Sequence, residues 1–238
     1  MYKRQLLNGS KTFITNGVNA DYVIVAAKTK DEPVHRNISL FIVETSSEGY
    51  SVGKSLKKLG WRSSDTAEIF FDGVKVPKEN LIGNKNEGFL YIMKNFQYER
   101  MTLALGCIGA AEKALELAMK YSKERIQFNK PLSEYQVLRH KMVDMAVDIE
   151  KARNITYRAL YLYNKGENCV TEATMAKAVA TEMLNRVADQ ALQIHGGNGY
   201  MMEFPIQRIW RDARIQTIGG GTTQIMNEIL TKQLGIIS

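Results

Sequence analysis

The spacing of the apolar residues changes once along this chain, near residue 85, and that change limits the fold more than any composition figure. Before it the runs are short and β-branched: Tyr22 to Ala27, Ile38 to Val43, Ala67 to Phe71 and Val74 to Val76. Such runs fit strands. Asp72-Gly73 reads as the turn of a hairpin, and Asn8-Gly9 and Asn16-Gly17 as further turns. No helical stretch separates these runs, so antiparallel pairing is expected rather than parallel crossovers. After residue 85 the spacing becomes helical. Met101, Leu105, Ile108, Ala111, Leu115 and Met119 form one stripe. Val137, Met142, Met145, Ile149 and Ile155 form a second, and Met175, Val179, Met183, Val187 and Leu192 a third. Ile225, Ile229 and Leu230 open a short fourth. Pro131 and the Gly166 to Asn168 segment separate them. The expected fold class is α+β: a partial antiparallel β domain over residues 1–83, then a C-terminal four-helix bundle over residues 84–238. A single thin sheet leaves one face in need of a partner, which implies a preceding domain that this chain does not include.

Composition narrows the function classes. Across 238 residues, Lys+Arg number 32 against Asp+Glu 25, a net charge of +7 that favours phosphate-bearing partners. The basic residues are dispersed and not interleaved with aromatics, which argues against nucleic acid. No apolar run approaches the roughly 18 residues of a membrane span. Met1 to Gln5 has no apolar signal core. Cys107 and Cys169 supply neither a disulfide framework nor metal spacing. These features suit a reducing cytoplasm, or a mitochondrial matrix in a eukaryote. The three histidines, His35, His140 and His195, build no Ser/His/Asp arrangement, and no metal site is expected.

Three stretches are richer in glycine and polar residues than a bundle needs. Gln193 to Tyr200, with Gly196, Gly197 and Gly199, ends the third helix. It is either a glycine cap with a turn or a place where a flat ligand or a phosphate meets bare backbone. It is not the Gly-x-Gly-x-x-Gly pattern of a dinucleotide fold. Gly219-Gly220-Gly221-Thr222-Thr223-Gln224 precedes the last helix, with Thr222 or Thr223 as N-cap. It is either a flexible loop or a helix N-terminus offering N–H groups to a polar ligand edge. Arg125 to Pro131 is either a solvated interhelix loop or an arginine for a pyrophosphate with Phe128 as an aromatic wall. Glu99 opens a helix, where a carboxylate also suits the helix dipole.

Taken in order, these stretches resemble the acyl-CoA dehydrogenases, flavoproteins that oxidise acyl-CoA thioesters to enoyl-CoA. The resemblance covers essentially the whole chain. It rests on Asn8 to Gly17, Lys58 to Thr66, Arg125 to Pro131, Gln193 to Tyr200, and Arg211 to Arg214 with the Gly219 to Gln224 run. It implies the later part of the family's middle β domain and its C-terminal four-helix bundle. The family's N-terminal helical domain and its Thr-Glu-Pro segment have no counterpart.

The resemblance also implies a site. Phe13 and Thr15 would lie by the isoalloxazine ring of FAD. Arg125, Phe128 and Gln136 would reach the dinucleotide half of a flavin held mainly by a neighbouring subunit. Gln193, Gly196 and Gly197 would line the same dinucleotide, while Thr222 and Gln224 would touch the flavin of their own subunit. A homo-oligomer, tetramer or dimer, follows from such sharing. Most members place the catalytic glutamate just before the glycine of the Gly-Thr pair. Here that position is Gly220. The isovaleryl and long-chain branches instead place the base in a Glu-Arg pair on the helix that opens the bundle, and this chain has Glu99-Arg100 there. Glu99 is therefore the expected base, with Tyr98, Arg100, Gly220 and Gly221 along the substrate.

The chemistry explains the parts. An α-proton beside a thioester is too weakly acidic for an unaided carboxylate. Donors to the carbonyl, among them the N–H of Gly220, stabilise the developing enolate, and water exclusion raises a carboxylate's proton affinity. The flavin takes the hydride, and an electron-transferring flavoprotein takes the electrons. A non-catalytic assembly module and an acyl-CoA oxidase are the alternative readings.

Overall fold

The computed structural model describes residues 4–31 and 33–237, the side chains of Arg4 and Val34 excepted. The start of the Met1 to Gln5 segment therefore lies outside the described residues. The chain divides into two compact units, residues 1–95 and 96–238.

The described residues of the first unit carry six strands: β1 (Arg4–Thr15), β2 (Tyr22–Lys28), β3 (Ile38–Glu44), β4 (Tyr50–Ser55), β5 (Thr66–Pro77) and β6 (Leu81–Ile82). They form two antiparallel sheets, ordered β1-β5-β4 and β2-β3-β6. The single thin sheet expected from the sequence is thus two sheets. They share one core, with Leu7, Ile69, Phe71, Val74 and Val76 from the first sheet and Val25, Phe41 and Val43 from the second. β2, β3 and β5 supply alternate side chains to that core, as the two-residue repeat requires. β4, with its polar Ser51, Gly53 and Lys54, gave no apolar signal and was not anticipated.

Asp72-Gly73 is not a hairpin turn. Both apolar runs belong to the continuous strand β5, because β1 is long enough to pair with both: Gly9 faces Phe71 and Leu7 faces Val74. Asp72 and Gly73 together oppose the single residue Asn8, whose Oδ1 accepts the Gly73 N–H at 2.8 Å. Gly73 sits at φ 63°. This bulge inserts one residue and so keeps Phe71 and Val74 on the buried face. Asn8-Gly9 likewise lies within β1 rather than in a turn. Asn16-Gly17 does turn, with Asn16 at φ 60° and Asp65 accepting from Val18 N and Asn19 Nδ2 at 2.7 and 2.9 Å.

The helices are α1 (Gly88–Glu124), α2 (Gln136–Asn164), α3 (Val170–His195), α4 (Ile206–Ala213) and α5 (Thr223–Gln233). The division at 95/96 lies past the expected 83/84, since the first turns of α1 belong to the β unit. There Phe89 meets the His35 ring at 4.7 Å and the Tyr91 hydroxyl donates to Glu87 at 2.8 Å. Among the described residues five α-helices form where four were expected, the addition being the eight-residue α4, too short to show a stripe. A further difference is the hairpin of β7 (Ile126–Gln127) and β8 (Lys130–Pro131) between α1 and α2.

In the second unit α3 packs against α2, α4 and α5. The buried faces are built from alanines as much as from large side chains: Ala104, Ala111, Ala114 and Ala118 on α1, and Ala173, Ala176, Ala180, Ala188 and Ala191 on α3. Small side chains let helix axes approach closely. Leu105, Met119, Val137 and Val179, expected inside, are exposed in the single chain. A stripe drawn through the largest apolar residues leans away from a contact that alanines make.

Candidate functional site

In the β unit, Phe13 and Thr15 end β1 and both are exposed. Phe13 stands at φ 60° with 77% of its surface free. Trp61, in the Lys58 to Thr66 loop, has φ 46°. That loop is tied by Lys58, whose ammonium donates to the Ser64 carbonyl at 2.7 Å and to Thr66 Oγ1 at 2.9 Å. A bulky side chain in the left-handed region is strained, and such strain collects where a ligand is gripped.

The same signature recurs in the helical unit. β7 and β8 are joined by Phe128 and Asn129, at φ 50° and 65°. Two consecutive left-handed residues in a two-residue loop make a type I′ turn, the connection whose twist matches a hairpin. The expected interhelix loop is therefore a hairpin that holds Phe128 at its tip, 88% exposed. Arg125 precedes it and Gln136 begins α2, both exposed.

Gln193, Gly196 and Gly197 lie at the C-terminal end of α3, exposed. Tyr121 joins them to the hairpin. Its carbonyl accepts the Arg125 N–H at 2.9 Å, its ring stacks on His195 at 4.5 Å, and its hydroxyl accepts from Asn198 Nδ2 at 2.9 Å. One corner of the bundle thus gathers two of the motifs that are about 70 residues apart in sequence (Arg125 and Gln193). His195 itself is buried, with Nδ1 against the Ala191 carbonyl at 2.7 Å.

Burial holds the His195 imidazole below its ordinary pKa, partly offset by the Ala191 carbonyl. A base so shifted binds fewer protons folded than unfolded. Its contribution to stability is present above the unfolded value of about 6.5 and is lost as the pH falls below that value. The urea midpoint should therefore fall between about pH 7.5 and about pH 5.5, and fall less in His195→Phe, which keeps a ring on Tyr121. Equal falls in the two proteins would remove His195 from the acid limb.

The second cluster surrounds the Gly219 to Gly221 turn. Thr222 caps α5, its Oγ1 accepting the Ile225 N–H at 3.3 Å, and Gln224 is exposed in the first turn. A methyl group placed on Gly220 would lie 3.4 Å from Leu103 Cδ1. Leu103 is one helical turn beyond Glu99 and on the same face of α1. Glu99 and Tyr98 are exposed, and the Tyr98 ring lies 6.0 Å from that of Tyr163. Arg100 is buried, its guanidinium 5.8 Å from the centre of the Phe96 ring, and its Nε has no hydrogen-bond partner among the described residues. Burial lowers its pKa, against the nearby Glu99 carboxylate, which raises it. Burial also pushes the Cys107 thiol up to about 12, with the Lys177 ammonium opposing, so this cysteine is inert as a nucleophile.

The two clusters lie near opposite ends of α1. From Glu99 to Arg125 is 26 residues along a helix rising 1.5 Å each, about 39 Å. The motifs read from the sequence include Trp61, within Lys58 to Thr66, but not Leu103, Tyr121 or Lys177. These three lie off the apolar stripes read from the sequence, and their contacts appear only in the fold. A groove of about 640 Å³ between α1 and α2, lined by Glu112, Met119, Lys123, Ile149, Glu150 and Arg153, contains none of the motif residues. Among the described residues no group of three His, Cys, Asp or Glu could hold a metal ion, and no helix is long and apolar enough to cross a membrane.

The family "Acyl-CoA dehydrogenase, middle domain" matches residues 2–74, and "Acyl-CoA dehydrogenase, C-terminal domain" matches residues 86–235. An acyl-CoA dehydrogenase of Bacillus subtilis is 43% identical over 231 residues, which are 97% of this chain and 61% of that protein. The caffeyl-CoA reductase–Etf complex subunit CarC of Acetobacterium woodii is 42% identical over 96% of this chain and 60% of its own length. The crystal structure of a probable acyl-CoA dehydrogenase from Mycobacterium abscessus superposes with a TM-score of 0.96 at 42% identity, covering 99% of this chain and 62% of that one. The chain thus spans about three fifths of these relatives, and over that span it belongs to the acyl-CoA dehydrogenase family.

Proposed function

We propose that this chain carries the base and the dinucleotide-binding corner of an enzyme that converts acyl-CoA thioesters to enoyl-CoA. Its family is flavin-dependent. FAD is the flavin we assign, on a fit with the residues present. Phe13 and Phe128 are exposed rings held in strained backbone, suited to a flat ligand. Arg125 offers a guanidinium to a diphosphate. Thr222 and Gln224 surround a helix N-terminus suited to a polar ring edge. Bound here, the flavin supplies the hydride acceptor.

The observation that carries the reading is the juxtaposition of Leu103 with Gly220. Leu103 follows Glu99 by one helical turn, so we read Glu99 as reaching toward the triple glycine, where a thioester carbonyl would find a backbone donor. Glu99 takes the α-proton; the Gly220 N–H, which has no acceptor among the described residues, hydrogen-bonds the carbonyl as charge develops on it. Tyr98, Arg100 and Gly221 border the acyl chain. The distance of about 39 Å between the two clusters exceeds a flavin dinucleotide. A second copy of the chain would bring Arg125, Phe128, Gln136, Gln193, Gly196 and Gly197 to the flavin whose ring its neighbour serves. Electrons leave to an electron-transferring flavoprotein, in keeping with the Etf complex named for the Acetobacterium relative.

The test uses the intact protein loaded with FAD and mixed anaerobically with acyl-CoA thioesters of several chain lengths. Bleaching of the flavin band, followed by reoxidation with electron-transferring flavoprotein, is expected. A flavin that stays oxidised with every thioester overturns the dehydrogenase reading, and fast peroxide release in air turns it into an oxidase.

A further inference from the structure

Lys177 lies in the middle of α3 with none of its surface exposed. Its ammonium donates to the Gly221 carbonyl at 2.5 Å, and no other acceptor for it occurs among the described residues. Its charged neighbourhood includes Arg100 and Glu182, with the Cys107 thiol also close. Burying a cation is costly unless it is well compensated, and here a single peptide oxygen receives it beside a second cation. An apolar side chain would fill the same volume at lower cost. Its placement is better explained by what it holds than by packing.

What it holds is the triple glycine. Gly220 and Gly221 sit at φ 67° and 100°, the left-handed region that glycine enters freely and leaves as freely. The turn is anchored before them by Gly219 N–H to the Ile215 carbonyl at 2.8 Å and after them by the Thr222 cap. Between those two anchors, Lys177 supplies the hydrogen bond to Gly221.

We propose that Lys177 is a positioning residue: through the Gly221 carbonyl it fixes the Gly219 to Gly221 turn so that the Gly220 N–H points at the thioester carbonyl. The inference rests on the function proposed above. It adds to that function a residue from a different helix, with no contact to the substrate.

Lys177→Met, Lys177→Gln and Glu99→Gln are compared in the intact FAD-loaded protein, with rates expressed per bound flavin. Lys177→Met should lower kcat by about 10- to 100-fold, the size expected when a donor is misplaced by about 1 Å, while KM changes less than threefold. Lys177→Gln keeps an N–H donor on a shorter arm and should fall between wild type and Met. A readout independent of turnover is the affinity for acetoacetyl-CoA, whose thioester binds as its enolate. Its Kd, from the optical titration, should rise about tenfold in Lys177→Met, whereas that of a saturated, non-reacting alkyl-CoA thioether should not. A purely structural lysine would lower flavin content and melting temperature but leave per-flavin kcat and the acetoacetyl-CoA Kd as in wild type, and that result overturns the proposal. Should Lys177→Met not fold, Lys177→Gln decides alone: kcat at the wild-type value refutes, and a fall of threefold or more at constant KM supports. Glu99→Gln separates the two readings. If it reacts as fast as wild type, the proposed function fails; if it is inactive while both Lys177 variants are normal, only the role of Lys177 fails.

Discussion

Glu99→Gln in the intact, flavin-loaded protein should bleach the flavin about a thousandfold more slowly than wild type, with the oxidised spectrum and thioester binding retained. A positioned base contributes about 10²- to 10⁴-fold, and no other carboxylate occurs in the Gly219 to Gln224 turn. Glutamine keeps the shape of the side chain and removes only its capacity to accept the proton. The geometry offers a rescue. A Cβ at Gly220 would meet only Leu103 Cδ1, at 3.4 Å, an ordinary contact. Its cost is the left-handed φ of 67°, about 1–2 kcal/mol. Glu99→Gln combined with Gly220→Glu should therefore fold, less stably, and recover part of the lost rate. Wild-type bleaching by the single variant, in rapid-mixing absorbance at the flavin band, removes Glu99 from the mechanism.

The largest effect on stability is expected at Gly49, in the turn between β3 and β4. Its φ is 87°, and a Cβ there would lie 2.1 Å from the Asp72 carbonyl oxygen. That oxygen belongs to the backbone of β5, and the Asp72 N–H donates to the Gly49 carbonyl at 2.9 Å. Nothing in this contact can swing aside. Relief requires β4 to part from β5, where Tyr50 packs edge-on to Phe71 at 5.5 Å. Backbone strain and overpacking together put Gly49→Ala at about 2–5 kcal/mol. For a unit of this size that is a fall in Tm of at least about 10 °C. The contrast is Gly73→Ala, at φ 63° but with open space around the added carbon, which should cost only the left-handed strain, about 1–2 kcal/mol. Trp61 fluorescence in a Trp210→Phe background reports the β unit alone. Equal melting of the two alanine variants would mean that β4 is not held against β5 as described.

Several parts of the fold were legible in one dimension because they rest on local chemistry. Tyr22 to Ala27 and Ile38 to Val43 became β2 and β3, since an isolated run of branched residues has few other ways to bury itself. Asn16-Gly17 became a turn and Thr222 a cap, since each is decided within four residues. The Asp72-Gly73 reading failed for a different reason. A turn and a bulge use the same left-handed glycine, and only the length of β1, which reaches both flanking runs, selects the bulge. Leu105, Met119, Val137 and Val179 lie off the buried faces, because α1 and α3 bury alanines as much as their larger residues and size alone does not mark burial.

The sequence by itself determined the change from strands to helices near residue 85, the positions of the glycine-rich and arginine-bearing motifs, and the family they resemble, because propensity, spacing and motif are properties of neighbours along the chain. The tertiary structure alone decided which of those motifs meet. It set Leu103 against Gly220, Tyr121 against His195, and the Lys177 ammonium on the Gly221 carbonyl. Each of these contacts joins residues far apart in the chain. They depend on how the faces of separate elements pack together, which no local pattern encodes.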